Sequence, residues 1–356
     1  MSGARRVASR AALLAAVLTC LAGVTATPAL ADQTGGYSHD SSIGLTATDW
    51  MARLPDSTLL SELSLPGTHD SGASVFGGDI AFTQSMDLAT QLNSGIRAWD
   101  IRLGEYSGRL ELYHGIARQG QDFQSDVLAT ADAFLQAHPT EFVVMRVKEE
   151  QTVTDFADQV HSYLAADPRV YRGLSDDPQL GDIRGKIVVL QDFSSPDREG
   201  IPYANSDWSV QDDYTLSTNW DLADKWHSVA DQLDAASSGP GTETYVNYLS
   251  GSGGSFPYFV ASGHSSPGTS APNLLTGWTR GIINSCGGSS SCIPEYPSVN
   301  CFWGTCSVAF QGVNVMAMRK MDAAAGTPHR YGIVYADFPG TGLVQDIINS
   351  NVGARR

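Results

Sequence analysis

Short apolar runs rich in branched residues recur along this chain, ending near Leu65, Ile101, Tyr113, Val147, Leu190, Val210, Leu249 and Tyr335. Between several of them lie stretches, at about 122–137, 151–166 and 222–236, in which apolar residues return every three or four positions. Period-two runs alternating with period-3.6 runs predict strands alternating with helices, hence an α/β fold with a mostly parallel sheet. About eight strands are enough to curl such a sheet into a single distorted TIM (β/α)8 barrel, complete or incomplete, with long loops. Its chemistry then belongs at the carboxyl ends of the strands. The Gly/Ser/Pro-rich stretch 250–272 and the later cysteine segment are read as long irregular loops over one face, and no linker divides the chain.

Three of the predicted strand ends deliver ionisable groups. The run ending at Leu65 stops at Pro66-Gly67 and leads into Thr68-His69-Asp70-Ser71-Gly72. Two more runs end in Asp100-Ile101-Arg102 and in Tyr113-His114-Gly115. Histidine is the only side chain whose unperturbed pKa lies near neutrality, so a pair can divide the work of base and acid. A lone histidine is more often structural, and His39, His138, His161, His227, His264 and His329 are read so, as is Arg97. Arg146, Glu149 and Glu150 read as a charged run at a solvated strand end.

Pro66-Gly67-Thr68-His69-Asp70-Ser71, then Asp100-Ile101-Arg102, then His114-Gly115, in this order and spacing, resemble the bacterial phosphatidylinositol-specific phospholipases C. The similarity runs on through residues 144–149, 185–190, 210–214, 245–250 and 333–337, which is most of the chain after its first residues. The resemblance implies that His69 is the base on the inositol 2-hydroxyl and His114 the acid for the diacylglycerol oxygen, with Arg102 on the phosphate. Asp337 would orient the base, Asp70 would assist the acid, and Asp100 would set the site around the phosphate. Lys148, Asp212 and Tyr214 would bind the head group. Known members carry an arginine where this chain has Gln191-Asp192. A short apolar rim helix is expected around Val75, Phe76, Ile80 and Phe82, joined by Trp278 or Trp303, for transient contact with membranes holding phosphatidylinositol. No cofactor is expected, because Arg102 stands where calcium-binding relatives have a carboxylate. Calcium held by Asp70, Asp100 and Glu149 is the alternative. Two other functions compete: a metal-dependent glycerophosphodiester-type phosphodiesterase on the same barrel, and a non-catalytic inositol-lipid binder.

The first residues carry Arg5, Arg6 and Arg10, an apolar run over 11–24 and Ala29-Leu30-Ala31. This is the pattern of a secretory signal at 1–31, leaving a single catalytic domain at 32–356 and a secreted, extracellular protein, expected to be a monomer. Cys20 lies in the run but lacks the small preceding residue of a lipid-anchoring signal. Loss of the three leader arginines takes the formal charge from −16 to −19, which argues against nucleic acid and against long-range attraction to anionic membranes. Cys286, Cys292, Cys301 and Cys306 suit two disulfides stapling a loop at about 284–308, with zinc as the alternative.

Overall fold

The computed structural model describes residues 35–275, 298–302, 305–327 and 329–353. Its strands are β1 (Leu65–Thr68), β2 (Ala98–Tyr106), β3 (Arg109–His114), β4 (Ala117–Asp122), β5 (Val143–Glu149), β6 (Ile187–Asp192) and β7 (Ile201–Pro202). There follow β8 (Trp208–Gln211), β9 (Thr215–Leu216), β10 (Thr244–Tyr248), β11 (Ser252–Gly253), β12 (Ser298–Phe302), β13 (Thr305–Val308) and β14 (Ile333–Ala336). Eight of them form one sheet in the order β7-β6-β5-β2-β1-β14-β10-β8, with parallel neighbours throughout. No described ladder joins β7 to β8, so the barrel is incomplete. The expected α/β barrel is the observed one.

The run ending at Tyr113 departs from expectation. It is not a barrel strand: β3 pairs antiparallel with the second half of β2, and β4 pairs antiparallel with β3. The cause is local. Ser107 and Gly108 both have positive φ, 53° and 78°, the two-residue turn whose twist joins antiparallel neighbours. Ser-Gly between two apolar runs was the available signal. The stretch 250–272 is also more regular than read, because it contains the helix Pro257–Ser262 and β11, which pairs with β9. The predicted helices appear as Phe123–Leu128 continuing into Ala129–Ala137, Phe156–Ala166, and Leu222–Ser238.

Central strands are buried on both faces, as parallel sheets require, and β10 is buried at all five positions. Gly67 is dictated by close approach, since a Cβ there would lie 2.8 Å from the Tyr335 ring and 3.0 Å from Ala98 Cβ. At the amino end of β2, Arg97 is fully buried as expected of a structural residue. It pairs with buried Glu141 and donates to the carbonyls of Ala47, Thr48, Leu92 and Ile96. The leader at 1–31, Cys286, Cys292, Trp278 and Trp303 lie outside the described residues, as do the side chains of Cys301 and Cys306.

Candidate active site

The carboxyl ends of the barrel strands deliver the predicted residues to one cavity of about 310 Å³. His69 follows β1, Asp337 follows β14, Arg102 lies on β2 and Lys148 on β5, while Asp212 and Tyr214 follow β8. His114 reaches the same cavity from the β3–β4 turn rather than from a barrel strand end. Asp70 and Asp100 lie beneath, buried against Arg102.

The two imidazoles are edge to face with centroids 6.3 Å apart. Their hydrogen bonds fix which nitrogen faces the cavity. His69 Nδ1 is 2.8 Å from Asp337 Oδ1, and His69 Nε2 is 2.8 Å from Arg102 Nη2. A guanidinium can only donate, so Nε2 carries the lone pair and Nδ1–H points at the carboxylate. Burial, followed by the Arg102 charge, lowers the His69 pKa well below the usual imidazole range. Burial likewise pushes Asp337 well above the usual carboxyl range. Both shifts disfavour a separated carboxylate–imidazolium pair, leaving His69 uncharged and able to accept a proton. His114 Nδ1 donates to the Ala81 carbonyl at 2.7 Å, which turns Nε2 toward Asp70 Oδ2 at 3.5 Å.

Arg102 joins the halves. Its Nε and Nη2 donate to Asp100 Oδ2 at 3.1 and 3.0 Å, and Nη1 lies 3.3 Å from Asp70 Oδ2. Burial opposes ionisation of Asp100, but Arg102 and Arg146 together hold its carboxyl well below the usual range. Asp70 has less compensation, and burial pushes it up to about 6.

A carboxyl group raised in this way stabilises the fold fully below its unfolded value near 3.8, and that contribution is lost as pH rises through about 6. Asp70→Asn is therefore expected to stabilise the protein at pH 7.5 by about 1–3 kcal/mol and to lose the gain near pH 4. Asn also tolerates the left-handed φ of 43° at this position. Thermal denaturation of both proteins at the two pH values checks this; an unchanged or lower midpoint at pH 7.5 contradicts it. Activity should fall in the same variant.

Arg146 is not the solvated strand-end charge expected from the sequence. It is 5 % exposed, donates to Asp100 at 2.9 Å and Asp192 at 3.0 Å, stacks 4.6 Å from the Tyr203 ring, and lines the cavity. Strand alternation was the signal, because Arg146 and Lys148 share one face of β5 and Glu150, just past its end, continues that alternation into the cavity. Glu150 accepts from the Gly115 backbone at 2.9 Å and lies 3.4 Å from Lys148. Glu149 points the other way and accepts from Val153 N at 2.8 Å, so Asp70, Asp100 and Glu149 are not gathered around one point. Among the described residues no group of three or more His, Cys, Asp or Glu is arranged to hold a metal ion. Asp192 is engaged by Arg146.

The other described histidines are held elsewhere: His138 by Asp49, His161 by Glu199, His264 by the Gly268 carbonyl, His329 by Ser237 and Thr327, and His39 stacked on Phe338. His227 sits in the helix Leu222–Ser238. At the rim, Val75, Phe76 and Ile80 are 48, 55 and 71 % exposed around the short 3-10 turn Gly78–Ile80. Phe82 instead packs against the core. Ile116, 94 % exposed in the β3–β4 turn beside His114, was not singled out from sequence.

An open parallel barrel that brings two imidazoles and a guanidinium to one cavity can carry acid–base chemistry on an anionic group. A scan against protein-family models finds no match. The chain is 34 % identical over 193 residues to a 1-phosphatidylinositol phosphodiesterase of Listeria monocytogenes, covering 48 % of this chain and 59 % of that protein. It is 28 % identical over 261 residues to the Staphylococcus aureus (strain Newman) protein of the same name, covering 62 % of this chain and 82 % of that one. The solved phosphatidylinositol-specific phospholipase C from Listeria monocytogenes superposes with a TM-score of 0.62 at 23 % identity, over 86 % of this chain and 99 % of that one. A solved Staphylococcus aureus enzyme, a pentafluoro-Phe form, gives 0.61 at 23 % identity, over 85 % and 97 %. The chain is thus similar in sequence to bacterial 1-phosphatidylinositol phosphodiesterases, spanning less than two thirds of the Listeria protein, and its fold is the distorted barrel of the solved enzymes.

Proposed function

We propose that the protein is a secreted phosphatidylinositol-specific phospholipase C, a lyase that releases diacylglycerol and 1D-myo-inositol 1,2-cyclic phosphate. The observation that carries this reading is the pair of cavity-facing imidazoles, 6.3 Å apart, with Arg102 bonded to one and near the carboxylate that serves the other. His69 Nε2 removes the proton from the inositol 2-hydroxyl, whose oxygen then bonds to phosphorus. The bond from phosphorus to the glycerol oxygen breaks, and His114 Nε2–H protonates that oxygen. Two protons move, one onto His69 and one off His114, so a proton must return from the first to the second before another turnover. Arg102 exchanges its contact with His69 Nε2 for the phosphate oxygens, where charge concentrates in the transition state.

Lys148, Asp212 and Tyr214 hold the inositol ring, the first two through its hydroxyls and Tyr214 through its ring face. Val75, Phe76, Ile80 and Ile116 give a monomer its transient apolar hold on the bilayer, since the chain's negative charge supplies none. Secretion rests on the leader pattern at 1–31.

The reaction requires no metal in this reading, because the guanidinium already occupies the position between Asp70 and Asp100. Activity on phosphatidylinositol vesicles should be the same in chelator and in millimolar calcium, with cyclic inositol phosphate as the first product by phosphorus NMR. Complete loss in chelator sinks metal independence. An acyclic phosphate as the first product replaces internal attack by attack of water.

A further inference from the structure

Three residues of one short segment, Ala81, Thr83 and Gln84, touch both halves of the acid–base pair. The Ala81 carbonyl accepts from His114 Nδ1 at 2.7 Å. Thr83 Oγ1 donates to the Asp70 carbonyl at 3.0 Å, and the Thr83 carbonyl accepts from Phe338 N at 2.9 Å, one residue past Asp337. Gln84 Nε2 donates to the carbonyls of His69 at 2.8 Å and Ala336 at 2.9 Å. Gln84 is 2 % exposed and Thr83 is fully buried.

The Gln84 contacts do something the sheet cannot do by itself. β1 and β14 run in register as far as Thr68 opposite Ala336, and the last backbone bond between them is His69 N to the Ala336 carbonyl at 3.1 Å. Beyond that point the two chain ends must still hold His69 Nδ1 within 2.8 Å of Asp337 Oδ1. The amide of Gln84 offers one hydrogen to each chain end, so it extends the ladder by one rung. Its orientation is unambiguous because both partners are carbonyl oxygens, which can only accept. The left-handed Phe338, with φ 46°, shows that the β14 end turns sharply after Asp337, and the Thr83 carbonyl holds that turn.

We propose that Gln84 is a positioning residue for the base pair His69–Asp337, and that the segment Ala81–Gln84 is a brace keeping that base aligned with His114. The part concerning turnover rests on the phospholipase C reading above; the alignment itself does not. The test uses the full mature chain with Gln84→Met, which keeps the side-chain length and removes both donors. A second variant, Gln84→Asn, stays polar but is one methylene too short to reach both carbonyls. Small misplacements of reacting groups cost about 10²-fold, so kcat on phosphatidylinositol vesicles should fall about 10- to 100-fold with KM within about twofold. The acid limb of the kcat/KM profile and the His69 imidazole titration by NMR should shift together in each variant that folds. Should Gln84→Met fail to fold, Gln84→Asn gives the same reading. A kcat within twofold of the parent, with an unmoved His69 titration, in a folded variant overturns the proposal. If the parent itself does not turn over phosphatidylinositol, the functional reading fails while the His69 titration still decides the brace.

Discussion

His114→Ala is expected to lose about 10²- to 10⁴-fold in kcat on phosphatidylinositol and far less on an inositol phosphodiester whose leaving group is p-nitrophenolate. The reason is the bond that breaks. A glycerol alkoxide is strongly basic and needs a proton as it departs, whereas a nitrophenolate leaves without one. His114 is held with Nδ1 on the Ala81 carbonyl and Nε2 facing Asp70, a geometry that presents a proton from Nε2 alone. His69→Ala should behave differently: the 2-hydroxyl must be deprotonated whichever group departs, so both substrates should suffer about equally, again by about 10²- to 10⁴-fold. Steady-state rates for the two variants on the two substrates make a four-value comparison. Equal losses for His114→Ala on both substrates would remove it as the acid, and a His69→Ala protein that spares the nitrophenyl substrate would exchange the two roles.

How much of this site was legible in the sequence depended on whether a residue's place follows from its own strand. His69, Arg102 and Asp337 follow directly, because each lies at or near the carboxyl end of a branched apolar run. Lys148 does as well, and the same period-two argument would have turned Arg146 and Glu150 inward and Glu149 outward. His114 reaches the site by another route, on an antiparallel hairpin set by Ser107-Gly108 rather than at a barrel strand end. Gln84 could not be read locally. Its two carbonyl partners come from residues 15 and 252 positions away, and nothing in the segment itself specifies that meeting. Asp192 is similar, since its bond to Arg146 on the neighbouring strand follows only once β5 and β6 are in register.

Arg97→Ala should destabilise the fold by about 3–5 kcal/mol, the usual result of leaving one member of a buried ion pair alone. Glu141 would remain in the interior without its charge partner, and four backbone carbonyls would lose their donor. Burial already pushes Arg97 down to about 10 and Glu141 up, so even the intact pair bears a desolvation cost that its hydrogen bonds offset. Removing both partners should therefore cost less than the sum of the two single changes, with a coupling of about 0.5–3 kcal/mol. Arg97 stands at the amino end of β2, with its N–H on the Pro66 carbonyl, so folded molecules of the variant should retain normal kcat. Urea unfolding of the parent, both single variants and the double variant, with m-values compared, measures each quantity. A single-variant loss under 1 kcal/mol, or strictly additive losses, would mean that the pair does not anchor the bottom of the barrel. A collapse of kcat without loss of stability would move Arg97 into the machinery of the site.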